Sequence, residues 1–309
     1  MHPEYHFQLI EHQMVDFPDD FLRSLYDQPT DKVTLKNLRA FGQLYPLLVQ
    51  QQAENRYHLL ADYSYFTALK TLGVKTVACR ILPHSLPPNT LFSFQILHGL
   101  ASPDSSPILQ AHLLRRAQHD LREEELLSLL SLMGHKPQRY KLKELSHLLQ
   151  LEPSAILALH RGTLSQKSAK KLTLLPPQDQ CELTNLIDAY RLGGSKQQKL
   201  VEMVTELTLR DGRAVSEIAK KWLPDQEMTS ENKPQQVLGL LQSLQGQCYP
   251  NRTAAEKSFK SLVQELQPSG ELTIEHSLSF EDETIEIRLR FPDPATLKEK
   301  WDRIKTILQ

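Results

Sequence analysis

From residue 108 to residue 223 the chain runs as short leucine-rich segments, nearly all closed by a glycine or stopped before a proline. This punctuation limits the fold more than any other feature of the sequence. The segments 108–121, 123–134, 142–151, 153–162, 165–175, 178–194 and 195–212 carry apolar residues at helical spacing. Each is too short for a coiled coil. None approaches the run of about 20 apolar residues that spans a bilayer. Short helices with short connections predict a compact all-α domain over residues 102–223.

The flanks read differently. Residues 1–101 mix signals: a loose alternation before Pro18, a helix over 34–41 stopped by Gly42, and two strand candidates joined by a polar turn at Ala53, Glu54 and Asn55. After these, Asp62 is placed to cap a helix that Gly73 closes, and a buried strand follows over 75–82. That order predicts a small α+β domain with a mixed sheet. Residues 224–251 begin polar and are read as a linker. Residues 252–309 carry a helix, two alternating strands with Glu281, Asp282 and Glu283 between them, and a last helix opened by Pro294. An α-β-β-α module of this size predicts dimerisation, because its spare apolar face needs a second copy to cover it. Trp222 and Trp301, at helical spacing, are read as core.

Cys79, Cys181 and Cys248 are far apart and form no CxxC pair, so neither a disulfide framework nor a zinc site is expected, and a reducing cytoplasm fits. The first residues lack a basic region followed by a long apolar run, so secretion is not expected. No metal site is expected from the 12 His, none of which has ligand spacing. Gly193, Gly194, Ser195 and Lys196 lack the full phosphate-loop pattern and join two helices, which reads as a helix end. No hydrolase motif is present.

A functional signal lies inside the helical region. Residues 144–156 have the spacing of a helix-turn-helix, with Ser146 small enough for close helix contact, Leu145, Leu149 and Ile156 turned inward, and Pro153 in the first turn of the second helix. A plain helical hairpin has the same spacing, and Gln150 stands where a turn glycine is usual. Charge favours DNA. Between Met133 and Lys171 there are eight Lys/Arg against the two acids Glu144 and Glu152, in a chain of net charge -1. Phosphate contacts supply most non-specific affinity for DNA, although a solvated face also carries such a run. The outward candidates of the second helix, Glu152, Ser154, Ala155 and Ala158, include no side chain able to make a bidentate base contact. Sequence reading by this helix is therefore expected to be weak, with Arg161, Lys167, Lys170 and Lys171 holding the backbone.

Together these pieces resemble the ParB-like partition proteins. The stretch 38–49, with Gly42 and Pro46, resembles the family's helix, Gly, Pro and strand signature, and residues 56–60 and 68–77 resemble the strand, helix and strand after it. Pro107, Ile108, Leu109, Gln110 and Ala111 match the start of the central helical region. Gly162, Thr163, Leu164 and Ser165 with Ala169 match a motif beyond the helix-turn-helix, and the terminal hairpin and helix match the dimerisation module. The resemblance implies an N-terminal ParB/sulfiredoxin-like α+β domain (1–101), a helix-turn-helix DNA-binding domain (102–223), a linker (224–251) and a dimerisation domain (252–309). It implies double-stranded DNA as partner, a homodimer through the C-terminal domain, a partition ATPase or other protein partner, and a cytoplasmic, nucleoid-associated location. The implied role is chromosome or plasmid partition or transcriptional regulation.

The chain departs from the family where CTP is bound. The family's Gly-Glu-Arg-Arg motif falls on Ala61, Asp62, Tyr63 and Ser64, and its Glu-Asn-x-x-Arg motif on His98, Gly99, Leu100, Ala101 and Ser102. The Asn-Pro-Arg often found near the N-terminus is absent from residues 15–19. Asp62 would fill the helix N-terminus with its own carboxylate and repel a triphosphate. A degenerate nucleotide pocket is thus expected near Gly42, Pro46, Ala61, Asp62, Tyr63 and Ser64, with no cofactor, no catalytic residue and no CTPase activity. The alternative is an interaction adaptor of the same fold that has lost specific DNA binding, presenting Tyr45, Tyr63, Tyr65 and Phe66 at the old pocket mouth.

Overall fold

The strand-forming runs near the N-terminus assemble into a mixed five-stranded sheet in this computed structural model, which describes residues 5–26, 31–100, 105–222, 233–268, 272–276 and 284–307. Its strands are β1 (His6–Glu11), β2 (Val15–Asp16), β3 (Leu47–Ala53), β4 (Arg56–Leu59) and β5 (Thr76–Leu82), in the order β1-β5-β3-β4-β2. β1 is antiparallel to β5, β5 parallel to β3, β3 antiparallel to β4, and β4 parallel to β2. Leu47, Leu48 and Val49 are consecutive and all fully buried, the mark of a central strand covered on both faces.

Three helices connect these strands, α1 (Asp20–Tyr26), α2 (Lys32–Phe41) and α3 (Tyr63–Thr71), and α4 (Pro88–Leu100) follows β5. The Asp31 carboxylate caps α2 by accepting the Thr34 N–H at 2.9 Å, and Gly42, at φ 72°, ends it in a conformation that suits glycine. The sequence pattern did not predict α4, because Phe92, Gln95 and Ile96 are all buried and no regular polar stripe marks an outer face. Leu91 and Phe94 from α4 pack with Leu86 against Leu48, Leu60 and Leu82.

The segments anticipated as helices all form: α5 (Pro107–Ala117), α6 (Glu123–Leu132), α7 (Arg139–Leu148), α8 (Pro153–His160), α9 (Gln166–Leu172), α10 (Pro177–Ala189) and α11 (Gly194–Asp211), followed by the short α12 (Val215–Ile218). Two buried glutamines tie their connections. Gln180 accepts the Glu152 N–H at 2.8 Å and donates to Leu175 O at 2.8 Å. Gln197 accepts the Ser165 N–H at 2.9 Å and donates to Thr163 O at 2.6 Å and Leu192 O at 2.8 Å. Such bonds satisfy loop groups that would otherwise be desolvated without a partner.

Residues 1–205 and 214–227 form one compact unit. The boundary expected between residues 101 and 102 falls within this unit. One reason is a polar tie across it: His112, buried on α5, donates from Nε2 to Asp19 Oδ2 at 2.8 Å while its Nδ1 accepts from Arg115 at 3.0 Å. Burial alone would raise the Asp19 carboxyl, but hydrogen bonds from His112 and the Leu22 N–H, with the Arg116 charge, hold it below the ordinary range.

The second unit comprises residues 206–213 and 228–309. It contains α13 (Lys233–Cys248), α14 (Pro250–Leu266), the antiparallel pair β6 (Leu272–His276) and β7 (Ile285–Leu289), and α15 (Pro294–Ile307). α13 takes up the C-terminal part of the linker expected over 224–251: Val237, Leu240 and Leu244, at i, i+3 and i+7, are buried on one side of a regular helix, while the polar residues 224–232 that suggested a tether lie outside the described residues. Arg210 holds its C-terminal end, donating to Gln247 O and Cys248 O at 3.1 Å each. The acidic turn at Glu281, Asp282 and Glu283 lies outside the described residues. Trp301, expected in a core, is 52% exposed.

Candidate nucleic-acid interface

The helix-turn-helix spacing is realised as α7, a four-residue turn and α8, but the second helix is not the one that faces outward. α8 packs on α5, α9 and α10. Ala155 is fully buried and Ala158 nearly so, at 9% exposure, which overturns their assignment to an outer, DNA-facing side. Small residues at those positions allow close helix packing. The Ser154 hydroxyl is engaged by the Glu152 carboxylate, which also accepts the Ser154 N–H at 2.8 Å, so the N-terminus of α8 already holds an anion.

The cations placed behind α8 stand apart from one another in their surroundings. Arg161 follows α8 and Lys167 opens α9, both exposed. Lys170 Nζ lies 2.7 Å from Glu144 Oε1, and Lys171 Nζ lies 2.7 Å from Glu202 Oε1. Glu144 also receives Lys141 at 2.5 Å. Burial by itself would raise the Glu144 carboxyl, yet the two lysine ammonium groups hold it below the usual glutamate range.

The outward face belongs to α7. α6 ends at Gly134, whose φ of 80° turns the chain, with the His135 N–H donating to Leu130 O at 2.9 Å. Pro137 precedes Gln138, the N-cap of α7, whose side chain makes no capping bond, and the first turn carries no acid. Leu142, Leu145 and Leu148 point inward. Arg139, Tyr140, Lys143 and His147 are all exposed and share the opposite face, and Lys136, also exposed, lies in the turn before the helix. Arg139 pairs with Glu123, but with side chains 79% and 44% exposed such a pair contributes only about 0–1 kcal/mol. Arg139 and Gln138 are the residue types that make bidentate contacts to guanine and adenine. Lys136, Arg139 and Lys143 belong to the basic run visible in the sequence, but the helix-turn-helix spacing put the turn at Gln150. The pair Gly134 and Pro137, three residues apart, is the signal that places a turn earlier.

Of the residues expected around the nucleotide pocket, Ala61, Asp62 and Tyr63 line a cleft with residues of α4 and α5, whereas Gly42, Pro46 and Ser64 do not. Asp62 does not cap α3. It sits at φ 59° and ψ 40°, makes no capping bond, and has Oδ2 3.6 Å from His98 Nδ1. Tyr63, Tyr65 and Phe66 are buried, which removes the aromatic mouth expected for an adaptor; only Tyr45 of that group is exposed. The Tyr65 hydroxyl accepts the Leu44 N–H at 2.7 Å. Burial pushes the Cys79 thiol up to about 12 and, with Glu206 nearby, the Cys248 thiol up to about 11, so neither is a thiolate at neutral pH. Among the described residues, no group of three metal-ligating side chains is assembled and no helix is long and apolar enough to cross a membrane.

No family model matches the chain, and no curated protein matches it. Solved structures similar to parts of it include the C-terminally truncated chromosome-partitioning protein ParB from Caulobacter crescentus complexed to the centromeric parS site. That likeness has 18% identity and a TM-score of 0.32, over 63% of this chain and 98% of that one. Two others are the C2221 form of a Pnob8-like ParB-N domain (12% identity, TM-score 0.37, 78% of this chain and 99% of that one) and a pNOB8-like ParB N-domain (13%, 0.37, 85% and 98%). Overlaps this loose carry no argument about the function of this chain.

Proposed function

We propose that this protein binds duplex DNA through the exposed face of α7, chiefly by phosphate contacts, and acts as a dimer joined through its C-terminal module. The observation that carries the reading is the stripe of Arg139, Tyr140, Lys143 and His147 on a helix whose other face is buried, with the exposed Lys136 in the turn before it. Attachment and assembly are the activity; CTP binding and hydrolysis are not part of it. Partition of a chromosome or plasmid, or regulation of transcription, is the setting we propose, with the nucleoid as location and a partition ATPase as a further partner.

The dimer is supported by the apolar surface of the C-terminal module. No residue of α14 or β7 is buried, and Leu266, Ile285, Ile287, Leu289 and Trp301 are 43–63% exposed. An area of that character is what a second copy of the module covers.

A second reading, an interaction adaptor, is favoured by another feature. β1 is an edge strand, and Phe7 and Leu9 on it are 65% and 69% exposed. Fluorescence anisotropy with two unrelated duplexes over a salt series separates the readings. Binding that weakens steeply with salt supports the first; no binding to either duplex supports the adaptor.

A further inference from the structure

One face of the five-stranded sheet is only half covered. Leu86, Leu91 and Phe94 pack there against Leu48, Leu60 and Leu82. Arg80 of β5, opposite Leu48 of β3 on one side and Phe7 of β1 on the other, marks where that cover ends. Beyond it Phe7 and Leu9 are 65% and 69% exposed, while Ile10, on the reverse of the same strand, is buried. Side chains alternate along a strand, so Phe7, Leu9 and Glu11 share the open side. Tyr5 joins them: its ring is 5.8 Å from that of Phe7, and the Arg80 guanidinium lies over it, 3.7 Å from the ring centroid.

Arg80 brings to this face a charge that nothing cancels. Its Nε has no hydrogen-bond partner among the described residues, and no carboxylate among them lies within ion-pair reach. The outer edge of β1 pairs with no strand among the described residues, so every second N–H and C=O along it lacks a ladder partner. A strand complementary to this edge sets apolar side chains against Leu9 and Phe7 and a carboxylate beside Tyr5 and Arg80. Run antiparallel to β1, these are its first, third and fifth residues. Residues 7–11 of this chain, Phe-Gln-Leu-Ile-Glu, carry that order themselves.

We propose that β1 pairs with β1 of a second copy, antiparallel about a two-fold axis at Gln8. Phe7 then faces the partner's Leu9, and Tyr5 faces the partner's Glu11, whose carboxylate meets the Arg80 guanidinium. Symmetry makes each of these contacts twice. The pairing lies at residues 5–11 and is separate from the dimer through residues 252–309, which Ile287→Glu tests on its own.

Gln8 sits on the axis and is exposed, so Gln8→Cys sets two thiols opposite each other, where cross-strand Cα atoms are about 4.5–5.5 Å apart and a disulfide can close. The full-length variant is oxidised with diamide at micromolar concentration and run on a non-reducing gel. The parent, with Cys79 and Cys248 buried and Cys181 half-buried, sets the background. Gln8→Cys is expected to run largely as a covalent dimer. Adding Leu9→Lys or Glu11→Arg should slow the crosslink roughly fivefold, since symmetry counts each cross-strand change twice. Adding Arg80→Glu to Glu11→Arg should regain the rate of Gln8→Cys alone. Melting temperatures report that the variants are folded. The proposal is overturned if Gln8→Cys crosslinks no more than the parent, if Leu9→Lys and Glu11→Arg leave the rate unchanged, or if the folded charge exchange fails to regain it. The edge is then open to a strand of another protein.

Discussion

Lys170 on α9 and Glu144 on α7 meet at 2.7 Å, so a cation that the sequence offers to DNA instead holds two helices together. Lys141 approaches the same carboxylate oxygen at 2.5 Å. Lys141, Lys170 and Lys171 thus face carboxylates of the protein itself, while Lys143 of α7 and Lys136 in the turn before it stay exposed beside Arg139.

Replacing Lys136, Arg139 and Lys143 together by Ala is expected to weaken binding to unrelated duplexes alike. It should also flatten the plot of log affinity against log salt by roughly three units, about 0.9 for each phosphate that no longer meets a cation. Replacing Lys167, Lys170 and Lys171 should change the slope by about one unit or less, because two of them face carboxylates. Anisotropy over a salt series measures both. The reverse ranking of the two variants would move the interface to α9.

Glu144→Gln removes a carboxylate of α7 and releases Lys141 and Lys170. Duplex affinity at low salt is therefore expected to rise a few-fold, and the gain to shrink at high salt as screening lengths shorten. An unchanged affinity at low salt would show that DNA never approaches this side of α7.

Acid should loosen the N-terminal half through Asp19. Its folded-state carboxyl titrates below the ordinary range, so the unfolded chain takes up the proton first as pH falls. The stabilisation is present above the unfolded value of about 3.9 and disappears as pH drops toward the lower folded value. Urea midpoints measured from neutral pH to about pH 3 should fall less steeply for Asp19→Asn than for the parent. Parallel pH profiles would contradict the role given to the bond from His112.

Sedimentation of the full chain at micromolar concentration is expected to give a dimer, and Ile287→Glu or Trp301→Ala to give monomer with little change in helix content. Both side chains are more than half exposed within one copy, so their replacement costs that copy little. A monomeric parent would rule the dimer out.

Calorimetric titration with CTP and Mg²⁺, with and without duplex, should show no preference over other nucleotides. A triphosphate at the start of α3 would be desolvated beside the Asp62 carboxylate. Micromolar binding specific to CTP would mean that other side chains had restored the site.

Local order was legible before any coordinates. Gly42 ends α2 and the leucine periodicity marks every helix from α5 to α11, because left-handed φ values and one-sided burial are short-range effects written into a few neighbouring residues, whereas Asp62, expected to cap α3, makes no capping bond. The mixed sheet was legible for the same reason. α4 was not, since its outer side carries the exposed Leu97 and no regular polar stripe, nor was α13, whose apolar residues acquire meaning only when something covers them. The interface shows the division most clearly. Sequence composition located the positive charge within residues 133–171, but which cations remain outward depends on Glu144 and Glu202 arriving from other helices, and α8 is withdrawn because α5, α9 and α10 close over Ala155 and Ala158. Charge is a property of residues, whereas exposure is a property of packing, and only the tertiary structure combines the two.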